Sequence, residues 1–472
     1  MTTGAQEPID EMPAGPAQVP PLPTESEQRR ELSREVHARP FVRLSAPERA
    51  THLAMLTGEE GFERDVAHLH ALCHRYGVTP PPEDATHIIL EFGDFRLKWE
   101  RHTEFCSYTF FVSGDLPADP FANPALNAVP QDWIQAMPGE LLVAVNLVIE
   151  PKHAPQRPPE TVPRLMTTGN FAASEVSGGA ATAFMDFAID ENGFGRIYVR
   201  DHGLKPRQAG RLVQRLLEIE TYRMLALLAL PLARQYGRKL SDLGTRLSQI
   251  AGGIGGLSNL QQERRLLSEL TTLSAETERI AAETAYRFSA ARAYYALVQR
   301  RIESLREERV EGFQTFSEFM ERRMAPAMRT CEAVQERQNN LSERVNRTSQ
   351  LLRTRVDIQL EEQNVGVLNS MDRRAKLQLR LQETVEGLSV AAITYYAVGL
   401  VDYVGDALKA HGLPVPVETA TGVAVPVIAG LVWIGIRKMR RMIEAEDLPT
   451  ADAAGDQAGE AGNAPKPPVG SR

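Results

Sequence analysis

Two apolar segments near the C-terminal end, separated by a short polar loop, constrain this chain more than any other feature. The first runs from Leu388 to Val401 and continues through Asp402 to Val404; the second runs from about Thr421 to Ile436. Each holds about 14 uncharged residues in a row and reaches roughly 17–20 with its flanks, the short end of what crosses a bilayer as a helix. Buried core helices can carry runs of this length too, so the flanking charges decide. Arg373, Arg374, Lys376 and Arg380 precede the first run, and Arg437, Lys438, Arg440 and Arg441 follow the second. The loop between Gly405 and Ala420 carries one Lys409 beside Asp406 and Glu418. Lys and Arg concentrate on cytoplasmic flanks. The pattern predicts a two-helix transmembrane hairpin, spans about 388–404 and 421–436, with both ends inside.

Residue types within the spans fit that placement. Tyr395, Tyr396, Tyr403 and Trp433 suit interfacial or helix-packing positions. Gly399, Gly405, Gly430 and Gly435 would let two helices approach closely. Pro426 is tolerated in a membrane helix where it would break a soluble one. Asp402 is the one ionisable residue at membrane depth, and such residues are functional candidates by default.

The rest of the 472-residue chain reads as soluble. Its 53 Lys and Arg against 61 Asp and Glu leave a net charge of −8, with no basic arm, so no nucleic-acid partner is expected. Three cysteines exclude a disulfide-stapled scaffold. A hairpin with both ends inside puts Cys73, Cys106 and Cys331 in a reducing compartment, as buried free thiols. Residues 1–24, rich in Pro, Ala, Gly and Glu, read as a disordered tail without a secretory signal. Residues 437–472 read as a basic flank followed by a second such tail.

Between residues 205 and 387 the chain is almost entirely helix-forming, and a long coiled-coil region is predicted. Pro206 suits a first helical position. Met224 to Leu230 is apolar on every face up to Pro231, too short for a third span, and reads as a buried helix. Ala251-Gly-Gly-Ile-Gly-Gly256 is a break between helices rather than a phosphate loop, since no Lys-Ser/Thr follows it. Leu266, Leu270, Leu273, Thr277, Ile280, Thr284, Ala291, Tyr294 and Val298 form a heptad seam that misses one beat at Arg287. A second long helix, kinked or begun at Pro326, places Leu341, Val345, Leu352, Val356, Leu360, Val367 and Met371 inward. Antiparallel pairing within the chain buries these stripes; association of copies through the helical stalk is the further expectation.

Residues 25–204 read as an α+β cytoplasmic domain. Ser26 to Arg39 and Phe62 to Tyr76 are helices, the second stopped by Gly77. Six strands are expected at His87–Phe92, Phe95–Phe105, Cys106–Val112, Leu141–Glu150, Ala181–Ile189 and Gly195–Arg200, in a mostly antiparallel sheet. Asp190-Glu-Asn-Gly193 is a hairpin signal between the last two.

Candidate chemistry is sparse. Strand alternation puts Lys98, Glu100, His102 and Glu104 on one face, and His102 with Glu104 could share a metal ion or a proton. A charged, solvated sheet face explains the same pattern and is preferred. His37, Arg39 and His52 read as helix-end groups that complement a local dipole. His70 and His74 share a helix face near His68, without a third ligand in view. No nucleotide-binding, hydrolase or metalloprotease motif is present, so no enzyme and no cofactor is predicted.

Three fragments carry a resemblance. Arg34-Glu-Val-His-Ala-Arg-Pro-Phe41, Trp99-Glu-Arg-His-Thr-Glu-Phe105 and the stretch Gln382 to Leu400 resemble the bacterial family called uncharacterised membrane-anchored protein, domain of unknown function 3422. That resemblance covers about residues 25–445. It implies a proteobacterial inner-membrane protein and assigns no reaction, so no catalytic residues carry over. The order of cytoplasmic domain, long helices and terminal hairpin is also similar in plan to CorA-type divalent-cation channels. Those carry Gly-Met-Asn after their first membrane helix, where this chain reads Tyr396-Ala-Val-Gly-Leu-Val-Asp402. The expected function is therefore a non-enzymatic assembly or interaction protein on the cytoplasmic face of the inner membrane. An oligomeric cation channel is the alternative, its ion or small-molecule ligand unspecified by the sequence.

Overall fold

The computed structural model describes residues 23–446, apart from 27, 30–40, 59–60, 156, 158–160, 257–259 and 411–415. The terminal tails, His37, Arg39 and nearly all of the helix expected at Ser26–Arg39 lie outside the described residues. The chain divides into two units, residues 1–352 and 353–472.

A nine-stranded mixed sheet organises the first unit. Its strands are β1 (Glu48–Leu56), β2 (His87–Glu91), β3 (Arg96–Arg101), β4 (Phe105–Ser113), β5 (Glu140–Glu150), β6 (Ala172–Val176), β7 (Ala181–Met185), β8 (Gly195–Asp201) and β9 (Glu308–Arg309), in the order β2-β3-β4-β1-β5-β8-β7-β6-β9. Only β5 and β8 pair in parallel; every other ladder is antiparallel. All six expected strands are present, two of them shorter than expected. β3 stops at Arg101 because residues 102–104 turn, with the His102 amide donating to the Phe105 carbonyl at 2.9 Å. β7 stops at Met185, and the loop to β8 closes where Gly193 adopts φ +88° and Asp190 accepts from the Asn192 and Phe194 amides at 2.9 and 3.0 Å.

Alternation along the strands gives the sheet two different faces. Leu53, Leu97, Trp99, Cys106, Tyr108 and Phe110 point to one, where they bury against helix α1 (Phe62–Tyr76) through Leu69, Leu72 and Cys73. Gly77 ends this helix in the left-handed conformation, φ +66°, which glycine adopts without steric cost. The other face packs on helix α2 (Pro206–Leu227), which begins at proline as expected. All three cysteines are free and buried.

The core continues past residue 204 without a break. Helices α3 (Ala229–Gly253), α4 (Leu260–Leu305) and α5 (Phe316–Arg323) follow α2, and their buried residues join the same apolar cluster as the strands. Leu270, Leu273, Thr277, Ile280, Thr284, Ala291 and Val298 of the heptad seam are buried. α4 runs antiparallel to α2 and α3, as the contacts of Arg215 with the Ser304 carbonyl (3.0 Å) and of Arg246 with Glu276 (3.7 Å) require. Helix α6 (Ala325–Ala410) starts one residue before Pro326, so that proline marks a helix start and not a kink. Gln338 and Gln335 of α6 reach Thr284 and Arg292 of α4 at 3.1 and 2.6 Å, again antiparallel.

The inward stripe expected along α6 is buried in the first unit and exposed in the second. Leu341, Val345 and Leu352 are buried, whereas Leu360, Val367 and Met371 are 38%, 57% and 61% exposed. Helix α7 (Val417–Glu446) completes this unit, and the Thr421 hydroxyl donates to Asp402 of α6 at 3.1 Å. Three of the four glycines expected to let the two helices approach have open space beside them. No atom lies within 4 Å of a Cβ placed on Gly399, Gly430 or Gly435.

Candidate functional site

Where α2 crosses β1, β3 and β4, the buried interface turns from apolar to polar. His52, Lys98, Glu100, Ser107 and Thr109 project from the strands toward Gln214, Glu218 and Thr221 of the helix, around a cavity of about 40 Å³. Its volume has room for roughly one to three water-sized groups. The expected solvated face is thus corrected: Lys98, Glu100 and Glu104 are buried, because α2 and α4 cover the strands that carry them. Lys98 Nζ lies 3.0 Å from Glu100 Oε1, which pairs the two charges under the helix.

His52 is the centre of this site and sits in mid-strand, not at a helix end as expected. Its Nδ1 is 2.8 Å from Thr109 Oγ1 and its Nε2 is 3.0 Å from Thr221 Oγ1. The Thr221 hydroxyl donates its single hydrogen to the Leu217 carbonyl at 2.9 Å. Nε2 therefore carries the ring proton and donates to Thr221, while Nδ1 accepts from Thr109. Burial, and secondarily the Lys98 charge, lower the pKa of His52 to about 3. A neutral ring with both nitrogens engaged cannot shuttle protons near neutrality; here it fastens a helix to a sheet.

A pH dependence follows from this. The unfolded chain protonates His52 near its ordinary pKa of 6.5, and the folded chain does so only near 3. Its contribution is fully present above pH 6.5 and is lost as pH falls toward 3, reaching roughly 5 kcal/mol at the low end. The difference in unfolding free energy between the wild type and His52→Gln is expected to shrink steadily from pH 7 to pH 4. A difference that stays constant across that range refutes the assignment.

The metal candidates His102 and Glu104 share the β3–β4 turn but face different partners. The His102 ring stacks on Phe105 with centroids 4.1 Å apart, and Glu104 pairs with Arg287 at 2.9 Å. Burial, and then a hydrogen bond to Glu104, raise the pKa of Tyr294. Among the described residues no three His, Cys, Asp or Glu side chains converge as metal ligands. His70 bonds the Pro81 carbonyl at 2.8 Å, and His68 stacks on Trp133.

The membrane candidates lie elsewhere. Tyr395 and Tyr396 are 77% and 73% exposed, Gly399 is half-buried, and Asp402 meets Thr421. Of the basic flanks, Lys376 pairs with Asp372 at 2.8 Å and the Arg437 guanidinium lies 4.9 Å from the Trp433 ring centre. Arg373, Arg374, Arg380 and Lys438 are exposed on their helices, and the side chains of Arg440 and Arg441 lie outside the described residues. Among the described residues two helices are long and apolar enough to cross a membrane: 18-residue windows within Ala325–Leu408 and Thr421–Met439 have mean hydropathies of 1.4 and 1.5.

Comparison with known proteins places the chain. A family model described as protein of unknown function, DUF3422, matches residues 24–443. The chain belongs to the DUF3422 family. No curated protein and no solved structure matches it, and the likeness in plan to CorA-type channels is not shown. For this DUF3422 member, the mixed sheet, the long helices and the two apolar helices are what any functional reading must explain.

Proposed function

We propose that this protein is anchored in the bacterial inner membrane by a two-helix hairpin, with both termini in the cytoplasm. Its N-terminal unit and helical stalk serve assembly or interaction rather than catalysis. One observation carries the proposal: the two apolar windows are only 6% and 0% buried within the chain. Core helices hide such surface, whereas a bilayer solvates it. The orientation rests on the basic residues, four before the first span and four after the second, against one lysine in the loop. The non-catalytic role rests on the candidate groups themselves, since His52, Glu100 and Glu104 are each spent on an internal partner.

Self-association through the stalk is the form of assembly we propose. Leu351, Ile358, Val365 and Leu379 are 68%, 52%, 51% and 51% exposed and fall on one seven-residue repeat interrupted at Asp372, the spacing of a helix that pairs with another copy. Alkaline phosphatase fused after residue 411 is expected to be active and after residue 445 inactive, because the enzyme works only outside the cytoplasm. In the same membranes, Val365→Cys is expected to form a disulfide-linked dimer on mild oxidation. Activity at 445 without activity at 411 refutes the topology, and a persistent monomer refutes the pairing.

A further inference from the structure

A second cavity, of about 350 Å³, opens between the first turns of α2, the end of α4 and the turn after β6. Arg211, Arg215 and Arg306 line it, with Gln208, Ser177 and Ser304 between them, and none of its lining residues is acidic. Arg211 and Arg215 stand one helical turn apart, a like-charge spacing that costs stability. Arg306 is held on the rim by backbone that L-residues rarely adopt, φ +51°, opposite Ser177 at φ +58°. The Ser177 amide fixes this juxtaposition by donating to the Leu305 carbonyl at 3.0 Å.

Among the described residues none of these three cations is held in an ion pair, and the one carboxylate that acts on Arg215, Glu218, is itself paired with Arg301. Arg215 donates to the Ser304 carbonyl at 3.0 Å, and Arg211 lies over the Phe41 ring, 5.1 Å from its centre. The nearby Arg301, by contrast, is neutralised by Glu218. Burial, then the charges of Arg211 and Arg301, lower the pKa of Arg215. Among the described residues the fold thus concentrates positive charge in a concave site, beside two residues of left-handed backbone.

We propose that this cavity binds the phosphate group of a small phosphorylated molecule. Guanidinium forks match phosphate oxygens in pairs, and a phosphomonoester brings about −1.5 to −2 charges where a carboxylate brings one. The volume is at the lower end for small-molecule pockets and exceeds what a bare phosphate needs. The same phosphate chemistry is offered by a soluble ester and by a phospholipid headgroup.

Inorganic pyrophosphate is the probe, titrated into the full-length protein in phosphatidylcholine nanodiscs at fixed ionic strength. It is expected to bind and to raise the melting temperature, whereas acetate does neither. Arg306→Gln and Arg211→Gln are each expected to weaken binding about tenfold or more. Without ligand both variants should melt at or above the wild-type temperature, because repulsion is relieved; this separates lost binding from lost folding. Native mass spectrometry distinguishes the two sources. Phosphatidylglycerol retained by the wild type and lost in Arg306→Gln marks a lipid headgroup, and none retained by either marks a soluble ester. A wild type that ignores about 10 mM pyrophosphate, or variants that bind it as tightly as the wild type, overturns the proposal.

Discussion

Gly210→Ala is expected to cost the N-terminal unit about 3 kcal/mol, the upper range for overpacking a dense interior. The sign is the test, because in an exposed helix interior the same substitution gains about 1 kcal/mol. A Cβ on Gly210 would stand 1.8 Å from the Val42 carbonyl oxygen and 3.3 Å from the Phe41 ring. Neither backbone can yield freely, since the Leu44 amide donates to the Pro206 carbonyl at 3.1 Å and ties that segment to the start of α2. Gly244, inside α3, supplies the control: nothing lies within 4 Å of its added Cβ. Gly244→Ala should gain roughly 0.5–1 kcal/mol. Denaturant unfolding of the two purified variants decides, and a Gly210→Ala protein as stable as the wild type refutes the packing described.

The second large effect concerns the hairpin. Leu431 lies near the middle of the second apolar window and is 65% exposed. An arginine at the centre of a span costs about 2.5–3.5 kcal/mol on insertion scales. The window has a mean hydropathy of only 1.5 and little margin to absorb that. Leu431→Arg is therefore expected to leave the second helix uninserted and strand the C-terminal end outside. Alkaline phosphatase after residue 445 should rise from background to the level of the 411 fusion, while Leu431→Ile leaves it at background. If Leu431→Arg also stays at background, the second helix does not span.

What was legible in the sequence tracks how locally each element is specified. α1 carries its own stop at Gly77, α2 its own start at Pro206, and the β7–β8 loop its own turn residues, so each was readable. β1 was not, although it lies in mid-sheet. Its sequence, ERATHLAML, places Glu48, Arg49, Thr51 and His52 in the interior, where local pattern reading expects apolar residues. Those groups are tolerated because remote partners meet them, although the Arg49 Nε stays buried without a partner. Arg96 meets Glu48 at 2.9 Å, the Asn123 carbonyl takes Arg49 at 2.9 Å, and Asn146 takes Thr51 at 2.7 Å. Short β6 and the two-residue β9 likewise exist only through pairing. The polar cluster beneath α2 was half legible. Alternation gave the correct face for Lys98 and Glu100, but nothing local shows that a helix beginning over a hundred residues later covers it. The hydrophobic stripe of α6 failed in the opposite sense, since periodicity shows that a face wants a partner and not whether this chain supplies one.

The ladder between β6 and β9 sets an order of events during synthesis. Ser174 bonds Glu307 at 2.8 Å across a sequence separation of 133, beside the pairing of Glu175 with Glu308. At about 5–20 residues per second, the β6 edge emerges and waits on the order of ten seconds for its last strand. Throughout that interval the edge is an open template for a neighbouring nascent chain. The helices made in the meantime are what bring β9 to it. Since β9 precedes both apolar helices, the ribosome finishes the sheet before it delivers them.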